Sequence, residues 1–320
     1  MSAPFPAARF IKEIGRGSKG ARSLSREDAR DLFAAMLDGR VSDLELGAVV
    51  LAMRIKGESV DEIAGFLDAA EASFTPLPTP GGEYAPIVIP SYNGSRQMPN
   101  LTPLLALLLA RAGAPVLVHG VTADSGRVTT AEILRELECV FASTAEEASA
   151  AFVACRPAFM PIEALAPRLA HLLSLRSVLG VRNSTHTLVK IMQPFAGPAL
   201  RLTSYTHPDY LEMLSEYFAS AAPVQRGDAF LMRGTEGETV ANAKRGHEIT
   251  WFHEHQRTLL AERQPPVDAL PPLPAASDAV TTARWIEDAL AGRQPVPETI
   301  ASQVEHCLRA AREVRLRSAQ

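Results

Sequence analysis

Residues 87–120, IVIPSYNGSRQMPNLTPLLALLLARAGAPVLVHG, have the frame of a phosphate-binding strand-loop-helix-strand unit without its glycine-rich loop. Glycines let backbone N–H groups come close to a pyrophosphate, because no Cβ stands in the way and positive φ is accessible. Here the loop reads Pro90-Ser91-Tyr92-Asn93-Gly94. Proline removes one N–H donor and fixes φ, and two bulky side chains follow it, so the approach of a diphosphate is restricted. His119-Gly120 ends the second strand of the unit and belongs to the same sheet edge. A histidine there is suited to proton transfer or phosphate contact, although a hydrogen-bonded structural histidine is the commoner case. His186 admits the same two readings. A third group, His247, His253 and His255 with Glu248 and Glu254, superficially suggests a metal, but its spacing matches no zinc motif and favours a solvated strand or loop.

These residues need a scaffold. Ile87-Val88-Ile89 is a β-branched run, and residues 101–112 are an apolar, helix-favouring run closed by Gly113. Strands expected at 87–89, 115–118, 151–154, 200–202 and 229–232 alternate with helical stretches, the pattern of a largely parallel sheet flanked by helices. Ligands of open α/β sheets bind beyond the carboxyl ends of the strands. Before the linker Thr75-Pro76-Leu77-Pro78-Thr79-Pro80-Gly81-Gly82 the chain reads as helical. Ser25, Ser42 and Ser59 are N-cap signals for three helices over about 26–37, 43–54 and 59–70. The expected fold class is therefore α/β, with a small helical domain over 1–76, joined by helices from about 160–190, and a large domain over 77–320.

With 320 residues and 47% hydrophobic content the chain can bury a sizeable core. Its start shows no signal peptide, and no apolar run is long enough to span a membrane, so a cytoplasmic location is expected. Cys139, Cys155 and Cys307 lack close pairs and read as buried small hydrophobes in a reducing compartment. The net charge of −4 argues against a uniformly basic nucleic-acid binder, yet residues 1–30 carry seven Lys or Arg against three acids. Arg9, Lys12, Arg16 and Lys19 step by three and four, which would align them on one helical face, although Gly15, Gly17 and Gly20 make that helix fragile. Such a strip can track phosphates. By itself the charge pattern favours an ordinary solvated face.

Ala34-Ala35-Met36-Leu37-Asp38-Gly39, taken with Leu51-Ala52-Met53-Arg54-Ile55-Lys56-Gly57-Glu58, resembles the N-terminal helical domain of anthranilate phosphoribosyltransferases and pyrimidine-nucleoside phosphorylases. Later landmarks fall in that family's order. Asn100-Leu101-Thr102 stands where Asn-Ile-Ser follows the phosphate loop, His119-Gly120 where Lys-His-Gly-Asn-Arg lies, and residues 176–194 where an arginine-bearing segment runs into Asn-x-Leu-Gly-Pro. The departures fall on the chemistry. The family's Gly-Thr-Gly-Gly-Asp loop is replaced by residues 90–94, and its magnesium-holding Asp-Glu pair falls on Gly237-Glu238. Val118, Val121 and Thr122 replace the Lys, Asn and Arg around His-Gly, while Arg127 stands near a phosphate-contacting lysine. Arg176 and Arg182 match the segment that reads the acidic aromatic acceptor; they either hold an anion or pair with carboxylates between the domains.

The segments Pro90-Ser91-Tyr92-Asn93-Gly94-Ser95-Arg96, Gly180-Val181-Arg182-Asn183-Ser184-Thr185-His186-Thr187-Leu188 and Arg233-Gly234-Thr235-Glu236-Gly237-Glu238 look like a divergent branch, the YbiB group of bacterial DNA-binding proteins. That resemblance implies sequence-independent binding of DNA by a homodimer paired through its helical domains, with no membrane association and no catalysis. On this reading Lys12, Arg16, Lys19, Arg22, Arg54 and Lys56 contact phosphates. Tyr92 offers a stacking platform but reads better as a packed loop aromatic. Tyr92, Asn93, Gly94, Arg96, Asn100, His119, Gly120, Arg127, Arg176 and Arg182 then line a vestigial substrate cleft. The alternative is a phosphoribosyltransferase that uses phosphoribosyl pyrophosphate, with magnesium as cofactor at Glu236 and Glu238; otherwise no cofactor or metal is expected. A third reading is a noncatalytic sensor of a small anion or nucleotide.

Overall fold

Serines at helix starts organise the first part of the chain. In the computed structural model, which describes residues 3–17, 19–266 and 272–319, Ser25, Ser42 and Ser59 cap α2 (Arg26–Leu37), α3 (Asp43–Lys56) and α4 (Val60–Glu71). Ser42 with Glu45, and Ser59 with Glu62, close reciprocal capping boxes, so two otherwise orphaned N–H groups are satisfied at each start. A further helix, α1 (Ala8–Ile14), precedes them and packs on α3. It ends at Gly15, before Arg16 and Lys19, so the four basic residues expected on one helical face are not on one helix. The glycines at 15 and 17 stop it.

The large domain is built on one eight-stranded sheet. Its parallel strands are β1 (Ile87–Ser91), β2 (Val116–Gly120), β3 (Val140–Phe141), β4 (Ala158–Pro161), β5 (Ala199–Ser204) and β6 (Gly227–Met232); β7 (Ile249–His253) and β8 (Gln256–Ala261) add an antiparallel edge. Their order across the sheet is β3-β4-β2-β1-β5-β6-β7-β8. The expectation of a strand at 151–154 is corrected. Those residues close the helix Ala145–Val153, and the strand lies at Ala158–Pro161. The run was too short to tell a helix end from a strand by composition.

Side chains alternate across the sheet with the strand period. Val88, Leu117, Ala158 and Leu231 pack toward the helical domain. Ile87, Ile89, Val116, Val118, Leu202 and Phe230 pack on the other face, against the helices Thr102–Arg111, Thr130–Glu136, Ala279–Leu290 and Glu298–Ser318. Four short helices over Ile162–Leu165, Pro167–Ser174, Arg176–Leu179 and Thr185–Leu188 come from the large domain's sequence yet pack partly on α2 and α4.

Charged groups fasten the two parts. Arg226 reaches Asp68 at 3.0 Å and Glu71 at 2.6 Å, and Ser184 donates to Glu58 at 2.5 Å; within the helical domain Arg26 holds the same Asp68 at 2.8 Å. Burial raises the Glu71 carboxyl above its usual range while Arg226 opposes it. Cys139 and Cys307 are buried, but Cys155 is exposed on a left-handed turn with φ +52°, which corrects the reading of all three as core residues. Among the described residues no helix is long and apolar enough to cross a membrane.

Candidate anion cleft

Beyond the carboxyl end of β1 the chain turns sharply through Asn93 and Gly94, and two glutamates from a distant loop fill the turn. Glu238 Oε1 accepts from both the Asn93 and the Gly94 N–H, at 2.8 and 2.7 Å. Glu236 accepts from the N–H groups of Arg96, Gln97 and Met98 at 2.9, 2.9 and 2.8 Å. Gly94 has φ +65°, the left-handed step that turns consecutive N–H groups toward one point, and such a concavity holds anions. Five backbone donors therefore converge on two carboxylates of the same chain.

The glutamates reach the loop through a tight turn over residues 234–238, closed by reciprocal hydrogen bonds between Thr235 and Glu238. Gly237 lies against the side chain of Asn93. A Cβ on Gly237 would stand 2.0 Å from Asn93 Nδ2, and its φ is +90°. Asn93 Nδ2 and Ser204 Oγ both donate to the Gly237 carbonyl, at 2.8 and 2.6 Å. A side chain at 237 and the Asn93 side chain in its present position therefore exclude each other, which couples the two departures from the family pattern. With no carboxylate at 237 and both oxygens of Glu236 bound to N–H groups, Glu238 Oε2 is left as one buried carboxylate oxygen without a partner, and one such oxygen does not make a donor set for magnesium.

Several residues expected to line the cleft are structural. Tyr92 is buried, and its hydroxyl bonds His119 Nδ1 at 2.7 Å, so it is not a stacking platform. Burial pushes His119 down to about 3, which keeps it neutral at physiological pH and away from phosphate. Asn100 is buried; its amide donates to Thr130 at 3.0 Å and its carbonyl accepts from Thr102 N–H at 3.1 Å. Gly120 is required by the sheet, because a Cβ there would fall 1.8 Å from the Ser91 carbonyl. His186 is pushed down to about 4, chiefly by burial and then by the charge of Arg182.

The arginines gather at the mouth. Arg96, Arg127 and Arg176 line a groove of about 580 Å³ with Asp124 and Ser174, and Arg54 and Arg182 line a second pocket of about 100 Å³ with His186 and Lys190. Arg127 donates to the Gly94 carbonyl at 3.2 Å and stands 3.8 Å from Glu236, and Arg182 donates to Asn93 Oδ1 at 3.1 Å. Arg54, Arg96, Arg176 and Arg182 make no salt bridge among the described residues. Among the described residues neither Arg176 nor Arg182 pairs with a carboxylate between the domains. Burial lowers Arg182, and the nearby charges of Arg176, Arg127 and Arg54 lower it further against the pull of Asp124. Lys190 had no motif to mark it. It reaches the Gly237 carbonyl at 3.5 Å, and burial brings it down to about 8 although Glu238 pulls the other way.

The N-terminal basic residues do not form one stripe. Arg16 pairs with Glu13 at 2.7 Å, and Arg22 stands 3.9 Å from the same carboxylate. Lys56 is bound to the buried Glu62 at 2.6 Å and to its neighbour's carbonyl, so it stabilises the fold rather than facing phosphates. Arg54 belongs to the cleft. Lys12 and Lys19, like Arg54, make no salt bridge among the described residues. Nor do the described residues bring three or more His, Cys, Asp or Glu together as a metal-binding group; His253 and His255 sit on the β7–β8 hairpin.

Comparison with known proteins agrees with this anatomy. Residues 8–73 match the model of the glycosyl transferase family helical bundle domain. YbiB of Escherichia coli (strain K12) is 45% identical over 306 residues, covering 95% of this chain and 94% of that protein. The anthranilate phosphoribosyltransferase of Rhizobium meliloti (strain 1021) is 29% identical over 237 residues, 72% of this chain and 68% of that one. Among solved structures, the anthranilate phosphoribosyltransferase of Thermus thermophilus superposes with a TM-score of 0.70 at 21% identity, over 97% of this chain and 90% of that one. The Saccharomyces cerevisiae enzyme, in complex with PRPP and Mg, gives 0.70 at 14% identity over 98% and 95%. The fold is that of the anthranilate phosphoribosyltransferases, and by its identity to YbiB along nearly its whole length the chain belongs to the YbiB family, a divergent branch of that superfamily.

Proposed function

We propose that this protein binds nucleic acid, DNA in the first place, through its phosphates and without sequence preference, along the mouth of the cleft between the two domains. The observation that carries the reading is the set of arginines at 54, 96, 176 and 182, clustered with no carboxylate partner among the described residues. Guanidinium groups crowded together raise the local potential, and a chain of phosphates relieves their repulsion while releasing counterions. An overall charge of −4 is no obstacle, since beyond a Debye length of about 8 Å only the local charge counts.

A homodimer paired through the helical domains accompanies this reading. Leu51 and Ile55 on α3 are 49% and 66% exposed, beside an apolar groove of about 270 Å³ lined by Ile11, Ile14 and Ala48. A second copy would cover that face and place two clefts in one assembly. Catalysis by phosphoribosyl transfer is disfavoured, because the loop N–H groups that such chemistry needs are already bound to Glu236 and to one oxygen of Glu238.

Charge reversal at Arg96 and Arg176 should weaken binding to unrelated oligonucleotides alike in an electrophoretic shift series. Unchanged affinity with both reversed overturns the cleft assignment. Calorimetric titration with phosphoribosyl pyrophosphate and magnesium tests the transferase: tight, magnesium-dependent heat would reverse the conclusion.

A further inference from the structure

We propose that Lys190 gives this protein a covalent activity: its amine condenses with the opened-sugar aldehyde of an abasic site in DNA. The proposal rests on the nucleic-acid reading above and adds a bond-forming step to it.

Lys190 lacks the partners that an ammonium group requires. Its Nζ makes no salt bridge among the described residues, and its hydrogen bond is a long one, 3.5 Å to the Gly237 carbonyl. That oxygen already accepts from Asn93 Nδ2 at 2.8 Å and from Ser204 Oγ at 2.6 Å. A carbonyl oxygen has two lone pairs, so the three N–H donors of an ammonium are left short of acceptors here. The surrounding charges act in the same direction. Arg182 and Arg127 repel a positive Lys190 and Glu238 attracts it, while desolvation outweighs all three and brings the group down to about 8. A lysine desolvated beside other cations keeps its lone pair free to attack a carbonyl.

The pocket around the amine sets the substrate. Lys190 follows the short helix Thr185–Leu188 and shares about 100 Å³ with Arg54 from α3, with Arg182, and with Ser204 and Tyr205 at the carboxyl end of β5. An apolar cavity of about 150 Å³ holds a benzene-sized guest, so this space takes the aldehyde end of an opened sugar and not a whole nucleotide. Arg54 and Arg182 make no salt bridge among the described residues and stand beside the amine, where guanidinium groups can hold the phosphates that flank the sugar. Turning a nucleotide out of the stack costs least where the base is damaged or missing. An intact nucleotide offers no aldehyde and so does not react.

The step balances without an oxidant or reductant. The nitrogen lone pair of the neutral amine attacks the aldehyde carbon and gives a carbinolamine. Its C–O bond then breaks, the oxygen leaves as water with the two amine hydrogens, and a C=N bond joins Lys190 to the DNA.

The test incubates the full-length protein with a single-stranded oligonucleotide carrying one abasic site and with sodium borohydride, which reduces the imine to a permanent amine. We expect a covalent complex on a denaturing gel, mapped by mass spectrometry to the peptide containing Lys190, and none with the same oligonucleotide lacking the abasic site. Lys190→Arg keeps the positive charge but cannot form the imine; it should bind the intact oligonucleotide as the wild type does and form no adduct. An adduct that persists in Lys190→Arg overturns the proposal. So does an adduct that maps in the wild type to surface lysines such as Lys12 and Lys19, a result that needs no variant to fold. Binding of the intact oligonucleotide without trapping of the abasic one overturns this inference and leaves the nucleic-acid reading standing, whereas neither binding nor trapping overturns both.

Discussion

Asn93 and Gly237 form a pair whose coupling can be measured. The related transferase pattern has glycine and aspartate at these two places, and this chain has asparagine and glycine. Introducing Gly237→Asp places a Cβ 2.0 Å from Asn93 Nδ2 at a residue with φ +90°. The left-handed backbone costs about 1–2 kcal/mol for a residue with a Cβ. Displacing Asn93 breaks its bonds to the Gly237 carbonyl and to Arg182, at 2.8 and 3.1 Å. Each is worth about 1 kcal/mol, so the single variant should lose about 3–4 kcal/mol of stability. Asn93→Gly alone loses the same two bonds, about 2 kcal/mol. In the double variant those bonds are lost once and the clash is gone. Its total should then be about 3–4 kcal/mol rather than the sum of about 5–6, a coupling of about 2 kcal/mol. Urea unfolding followed by the fluorescence of Trp251 and Trp285 gives all four corners of the cycle. Additivity to within about 0.5 kcal/mol would refute the argument that side chains at the two positions exclude each other.

Three further outcomes follow from other parts of the molecule. His119 and His186 are held neutral, with values of about 3 and about 4, so the unfolded chain binds more protons than the folded one below pH 6.5. Their contribution is intact above pH 6.5 and is lost on acidification, at about 1.4 kcal/mol per pH unit for each histidine; denaturation at pH 7, 6 and 5 should show this, and His119→Asn should remove about half of the slope. Glu62→Ala leaves Lys56 without the carboxylate at 2.6 Å and the Leu24 and Ser59 N–H groups without an acceptor. It should cost about 3–5 kcal/mol in thermal or chemical unfolding, and a loss below about 1 kcal/mol would show that the pair is not structural. For single-stranded oligonucleotides, four unpaired arginines predict a log-log salt slope of about −2.8, or about 50-fold weaker binding between 50 and 200 mM salt. Reversing Arg96 and Arg176 should flatten that slope to about −1.4, and an unchanged slope would remove them from the interface.

Much of the fold was legible because it rests on local rules. The capping serines at 25, 42 and 59 mark the helix starts, and the β-branched run at 87–89 marks a central strand. The misplaced strand at 151–154 shows the limit, since alanine-rich helix ends and buried strands share a composition. The site was less legible. Lys56 and Arg54 lie two residues apart, yet one is bound to a buried glutamate and the other lines the cleft. Arg16 and Arg22 look like a phosphate strip until Glu13 is seen between them.

By itself the sequence determined the class of fold, the parallel sheet, the placing of the cleft at the strand ends, and the loss of the phosphate-loop glycines and the paired aspartate. Those are matters of local propensity, periodicity and residue identity, which the chain carries at each position. Tertiary structure decided what the losses mean. Glu238 meets Asn93 and Gly94 across 145 and 144 residues, and Glu236 meets Arg96, Gln97 and Met98 across 140, 139 and 138. Whether a charge faces solvent, a ligand or another part of the chain depends on its three-dimensional neighbours, and hydrogen-bond satisfaction and burial are properties of those neighbours rather than of the residue.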